Sequence, residues 1–101
     1  MLLEFSITPL DKGPSVGAYV ARALDIVDRS GIPYRLNPMG TVVEGTWDQV
    51  MGVVKQCVEA LERDCERISI TMKVDHRKGR QDALRSKIEH LERNLGRKLE
   101  T

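Results

Sequence analysis

From Leu3 to Thr8 apolar and polar side chains alternate with a period of two, which predicts a half-buried strand over Leu2–Thr8. Pro9 and the cluster Asp11-Lys12-Gly13-Pro14 end it. The period then changes. Val16, Tyr19, Val20, Ala23, Leu24 and Val27 recur at helical spacing, with Ser15 placed as the expected N-cap and Gly31 as the stop. Ile32–Leu36 and Thr41–Glu44 read as two short strands joined through Asn37-Pro38-Met39-Gly40, a joint too short for anything but a hairpin. Thr46 and Gln49 have the spacing of a capping box and open a second helix, whose stripe is Trp47, Val50, Met51, Val54, Val58 and Leu61. Arg67–Asp75 alternates again, with Ile68, Ile70, Met72 and Val74 on one face. The loop His76-Arg77-Lys78-Gly79 leads to a last helix carrying Leu84, Ile88, Leu91, Leu95 and Leu99.

The element order is thus β-α-β-β-α-β-α. Right-handed crossovers and antiparallel pairing turn that order into an α+β, ferredoxin-like two-layer sandwich with sheet order 4-1-3-2 and a surplus C-terminal helix. There is no repeat longer than the βαβ half and no linker long enough to separate domains, so residues 1–101 are expected to form a single domain. Two helices suffice to cover one face of such a sheet. The third needs a separate home, and its narrow seam of single leucines resembles coiled-coil packing, so a subunit contact is expected for it.

Composition narrows the class. A chain of 101 residues can bury roughly two-thirds of its unfolded surface without metal or disulfide help. No apolar run approaches the ~18 residues that cross a bilayer, and Met1-Leu2-Leu3 meets Glu4 too early for a signal peptide, so a cytoplasmic protein without membrane partners is expected. The net charge of +1 hides an asymmetry: residues 1–72 carry 7 basic and 10 acidic side chains, residues 73–101 carry 9 and 5. The basic tail is suited to an anion or an acidic partner surface. Cys57 and Cys65 have no companion pair at zinc spacing and read as small structural hydrophobes.

Catalytic chemistry finds little support. No nucleophile-and-base pair, Walker A or GxGxxG pattern is present, and His76 and His90 both fall on polar surface. Nucleic-acid binding by a ferredoxin-like sheet relies on exposed aromatics, whereas Phe5, Tyr34 and Trp47 fall on core positions by their periodicity. The face left open by the helices instead shows Glu4, Ser6 and Thr8 on the first strand, Arg35 and Asn37 on the second, and Ser69, Thr71, Lys73 and Asp75 on the last. Such a face is either solvated or meets a second sheet around a small ligand. Strand directions gather Thr8, Asn37, Thr41 and Ser69 at one end, and Glu4, Glu44, Lys73, Asp75 and His76 at the other. Met39 in the hairpin turn offers either adaptable pocket wall or core packing. Glu44 follows Val42-Val43 on an inner strand, where a carboxylate requires a partner.

Three stretches, Glu4-Phe5-Ser6-Ile7-Thr8-Pro9, Asn37-Pro38-Met39-Gly40-Thr41-Val42-Val43-Glu44-Gly45 and Asp75-His76-Arg77-Lys78-Gly79, resemble the small thiamine-binding, YkoF-like family. The likeness runs in order along the chain, and its most specific element is the gapless P-x-G-T-x-V-E-G hairpin. The resemblance implies a ferredoxin-like protomer and sheet-to-sheet homodimers that pair into homotetramers. It also implies an interface pocket for thiamine or its pyrimidine moiety, with no catalysis and no required cofactor. Carried over residue by residue, the ligand contacts are Ser6, Thr8, Asn37, Thr41 and Glu44, with Met39 beside them. Hydroxyls and an amide suit an aminopyrimidine, and a carboxylate suits the thiazolium charge. The alternative reading is a regulatory or structural module that recognises an anionic ligand or a protein through the basic segment from Lys73 to Arg80.

Overall fold

The computed structural model describes residues 1–101. Its elements are β1 (Leu2–Pro9), α1 (Gly17–Arg29), β2 (Tyr34–Asn37), β3 (Gly40–Glu44), α2 (Trp47–Glu62), β4 (Ile68–Asp75) and α3 (Ala83–Leu95). The strands form one antiparallel sheet in the order β2-β3-β1-β4, which is the ferredoxin-like 4-1-3-2 order expected from the sequence. No helix is long and apolar enough to cross a membrane.

The period-two pattern of β1 sends Leu3, Phe5 and Ile7 inward, where α1 supplies Ala23 and Val27 and α2 supplies Val50, Val53, Val54, Cys57 and Leu61. Phe5 is the one aromatic in this core. Burial pushes the Cys57 thiol up to about 11, and the thiol donates to the Ala23 carbonyl, so Cys57 packs as an apolar group linking the two helices. At the surface the same helices are tied by Arg22, which donates to both carboxylate oxygens of Asp64 at 2.8 and 3.1 Å and to the Ala60 carbonyl.

Thr46 and Gln49 form the expected capping box: Thr46 Oγ1 accepts from the Gln49 N–H, and Gln49 Oε1 from the Thr46 N–H. Gly45 makes room for it, since a Cβ there would fall 2.7 Å from Gln49 Oε1. Ser15, by contrast, does not cap α1. The helix starts one residue later than its apolar pattern suggested, with Val16 at the N-cap and no side-chain cap.

Two aromatics leave the core positions that periodicity assigned them. Tyr34 lies on edge strand β2 and turns its hydroxyl to Asp28, donating at 2.7 Å. Trp47 occupies the first turn of α2 and is 57% exposed, lining a cleft with loop residues instead of packing on the sheet. On edge strand β4, Ile68 and Ile70 pack on the core while Met72 and Val74 stay largely exposed, because the helices cover only the first half of the strand.

The third helix divides its seam. Its first half sits against the open face of its own sheet, where Ala83, Leu84 and Ile88 share a crevice with Leu2, Arg35 and Val42. Leu91 and Leu95 remain exposed. Leu99 falls outside the helix, because Gly96 enters the left-handed region at φ 70° and Arg97 N–H closes back on the Glu92 carbonyl.

Candidate functional site

Five of the six residues singled out from the sequence meet in one notch. β1 pairs with β4 along its whole length, from Leu2↔Asp75 to Pro9↔Ile68, but its pairing with β3 stops at Phe5↔Thr41. The chain turns away there because Pro38 and Met39 form a two-residue hairpin turn, with Asn37 opposite Gly40. The β3-facing edge of β1 is therefore uncovered beyond Phe5. The resulting cavity of about 690 Å³ is floored by Ser6 and Thr8, closed on one side by Asn37, Met39 and Thr41, and on the other by Val20 and Leu24 of α1. Met39 stands 90% exposed at its rim, while Thr41 is buried at 3%. Gly40 lets the hairpin approach the floor, since a Cβ there would lie 3.2 Å from the Phe5 carbonyl oxygen. The lining combines hydroxyls and an amide with apolar wall, which is the make-up of a small-molecule site. Ser69, grouped with these residues by strand direction, does not line the notch.

Glu44 is separated from the other five. At the far end of β3 it is buried to 8% exposure, and its carboxylate reaches the start of α3. Oε2 accepts from the Ala83 N–H at 2.6 Å and Oε1 from the Leu84 N–H at 3.2 Å. The partner that an inner-strand carboxylate requires is thus a helix N-terminus, where its charge meets two unsatisfied donors and the positive end of the helix dipole.

Around Glu44 opens a second cleft of about 980 Å³, bounded by Trp47 on one side and by His76, Arg77 and Arg80 on the other. The sequence places Glu44 and His76 at this end of the sheet and marks Lys73 to Arg80 as an anion-binding segment, but its helical spacing assigns Trp47 to the core stripe of α2. The position of Trp47 next to the Thr46 cap was the available signal: a first-turn residue lies at the end of the stripe, not within it.

Asp75 anchors the loop that forms the far wall. Its hydrogen bond from Lys87 and its pairing with Arg80 hold the carboxyl down to about 2, against an ordinary 3.8. Its pKa is lower in the folded than in the unfolded chain, so its contribution to stability is complete above the unfolded value and is lost as pH falls from 3.8 through about 2. Denaturant unfolding of wild type and Asp75→Asn is therefore expected to show a gap near neutral pH that closes across that window. A gap of constant size would assign the acid sensitivity to other groups. Glu4 and Lys73 stand directly opposite one another on β1 and β4.

Comparison with known proteins agrees with this architecture. A family model described as thiamine-binding protein matches residues 3–92. A UPF0045 protein of Mycobacterium bovis is 44% identical over 96 residues, covering 94% of each chain. Among solved structures, a hypothetical protein of Methanocaldococcus jannaschii superposes with a TM-score of 0.82 at 31% identity, over 89% of this chain and 93% of its own. A candidate thiamine biosynthesis/salvage protein of Thermotoga maritima shares the fold at a TM-score of 0.76 and 21% identity, over 89% and 96% of the two chains. With its family model spanning nearly the whole sheet, the first two helices and most of the third, the chain belongs to the thiamine-binding protein family.

Proposed function

We propose that the protein is a small-molecule binder whose notch between β1, α1 and the β2–β3 hairpin takes an aminopyrimidine of the thiamine type, and that a second copy of the chain completes the site. The observation that carries this reading is the convergence of Ser6, Thr8, Asn37, Met39 and Thr41 on one cavity in a chain of this family. Three hydroxyls and a carboxamide at the floor and wall match the donors and acceptors around a pyrimidine ring, and Val20, Leu24 and Leu36 supply apolar contact. The notch is open on one side, with Met39 and the 61% exposed Leu36 at its rim, and the exposed Leu91 and Leu95 of α3 offer further apolar surface for association. Glu44 belongs to this proposal only through the ends of β3, since its own carboxylate is taken up by α3.

The test is thermal unfolding with thiamine. Ligand at 100 Kd is expected to add about 2.7 kcal/mol, raising the midpoint by roughly 10–20 °C for a domain of this size. Asn37→Ala is expected to weaken binding about tenfold without lowering the ligand-free midpoint appreciably, because Asn37 is only half-buried at the end of its strand. Absence of any shift with unphosphorylated thiamine overturns the assignment. Native mass spectrometry on the same sample reads the subunit count, and a purely monomeric, ligand-bound species removes the second copy from the proposal.

A further inference from the structure

The cleft around Trp47 shares no lining residue with the hairpin notch, and its chemistry is different. Its lining includes a large indole that is left 57% exposed. His76, Arg77 and Arg80 line it as well. The carboxylates in the wall are already engaged, Glu44 by the α3 N–H groups and Asp82 by Arg85 at 2.6 Å. The cations are less so. Arg77 has no ion-pair partner within 4.0 Å. The Nη2 of Arg80 is buried and pairs with Asp75 Oδ2 at 3.0 Å, an oxygen it shares with Lys87, so one carboxylate there faces two cations.

A second observation extends the positive wall. Arg77 and Arg80 also border a neighbouring groove of about 610 Å³, whose other charged or titratable residues are Lys87, His90 and Arg93, with no carboxylate among those that line it. Lys87 is partly neutralised by Asp75; Arg93 forms no ion pair. The two arginines therefore stand between an aromatic surface and a groove whose further cations are the partly neutralised Lys87 and the unpaired Arg93. A bare anion would leave the indole unused, and a neutral ring would leave the arginines unused. A planar guanidinium pair is suited to phosphate oxygens, which it can meet with two parallel N–H donors.

We propose that this cleft binds a small aromatic molecule carrying a phosphate group, the ring stacked on Trp47 and the phosphate held by Arg77 and Arg80. The cleft has ample room for a ligand of mononucleotide size. The proposal stands independently of the hairpin notch, and its test uses no thiamine compound, so either reading can fail alone.

Trp47 is the sole tryptophan of the chain, so indole emission reports on this cleft directly. The full chain is titrated with AMP and with phenyl phosphate, and in parallel with adenosine and inorganic phosphate. AMP and phenyl phosphate are expected to change Trp47 emission saturably, with adenosine and inorganic phosphate each at least about tenfold weaker. Arg77→Ala is expected to weaken AMP about tenfold while leaving the melting midpoint unchanged, since Arg77 is exposed and makes no ion pair. In calorimetric titration Trp47→Leu is expected to bind AMP no better than inorganic phosphate. The proposal is overturned if neither aromatic phosphate gives a saturable response up to millimolar concentration, or if Arg77→Ala binds AMP as wild type does.

Discussion

Glu44→Ala is expected to release α3 from the body of the protein. Asp82, the helix's own N-cap residue, sits in the left-handed region at φ 57° and makes no capping hydrogen bond, its carboxylate being paired with Arg85. The capping falls to Glu44, which accepts from Ala83 and Leu84 across 39 and 40 residues of sequence. Hydrogen bonds to a charged group contribute about 1.5–3 kcal/mol each, and the alanine variant leaves the Ala83 N–H buried without a partner. A loss of about 3 kcal/mol corresponds to a roughly hundredfold rise in the population with α3 detached. In hydrogen exchange, protection across Ala83–Leu95 should collapse while that of β1 and α2 persists. Glu44→Gln keeps one acceptor and should fall between alanine and wild type. Undiminished protection of α3 in Glu44→Ala would show that its contacts with Leu2 and Val42 hold it alone.

Leu61→Ala is expected to act on the whole domain instead. Leu61 is fully buried at the C-terminal end of α2, within the cluster that includes Leu3, Val27 and Cys57. Truncation in such a site costs the transfer energy of the removed atoms plus that of the cavity they leave, about 3 kcal/mol. For a domain of this size that lowers the melting midpoint by roughly 12–24 °C. Exchange protection should fall together in all four strands and both core helices, with an unchanged denaturant m-value. A loss below about 1 kcal/mol would mean that the end of α2 collapses onto the vacated space. The pair of variants thus separates a local attachment from the common core.

The sequence was most informative where one local pattern decided the outcome. The alternation of β1, the Thr46/Gln49 box and the short β2–β3 joint were each sufficient to place an element, and the antiparallel order followed from chirality and connection length. The run Pro38 to Gly45 shows how dense that information is: turn at Pro38-Met39, close approach at Gly40, buried Thr41, capping carboxylate at Glu44 and space for Gln49 at Gly45. What escaped depended on where an element ends relative to its neighbours. Periodicity gave Trp47, Met72 and Val74 an inward phase, but phase does not reveal that the covering layer stops short of them. Leu99 continued the α3 spacing across Gly96, whose left-handed conformation breaks the helix. For Glu44 the need for a partner was legible, yet the partner lies 39 residues away and no local pattern points to it. The shorter third strand was legible in its bounds, Thr41–Glu44 against Leu2–Thr8, but not that the freed edge of β1 would meet Val20 and Leu24 of α1 around a cavity.

The tie between Glu44 and α3 also orders events in time. A helix of 13 residues is marginal in water by itself, and this one lacks a side-chain cap of its own. Its capping carboxylate comes into position only once β3 has paired with β1 and β2. During refolding α3 is therefore the follower: the hairpin and central strands must assemble before the last helix has an anchor, and loop closure over that distance is compensated only at the end. In pulsed hydrogen exchange during refolding, protection of the sheet is expected to appear before protection of α3.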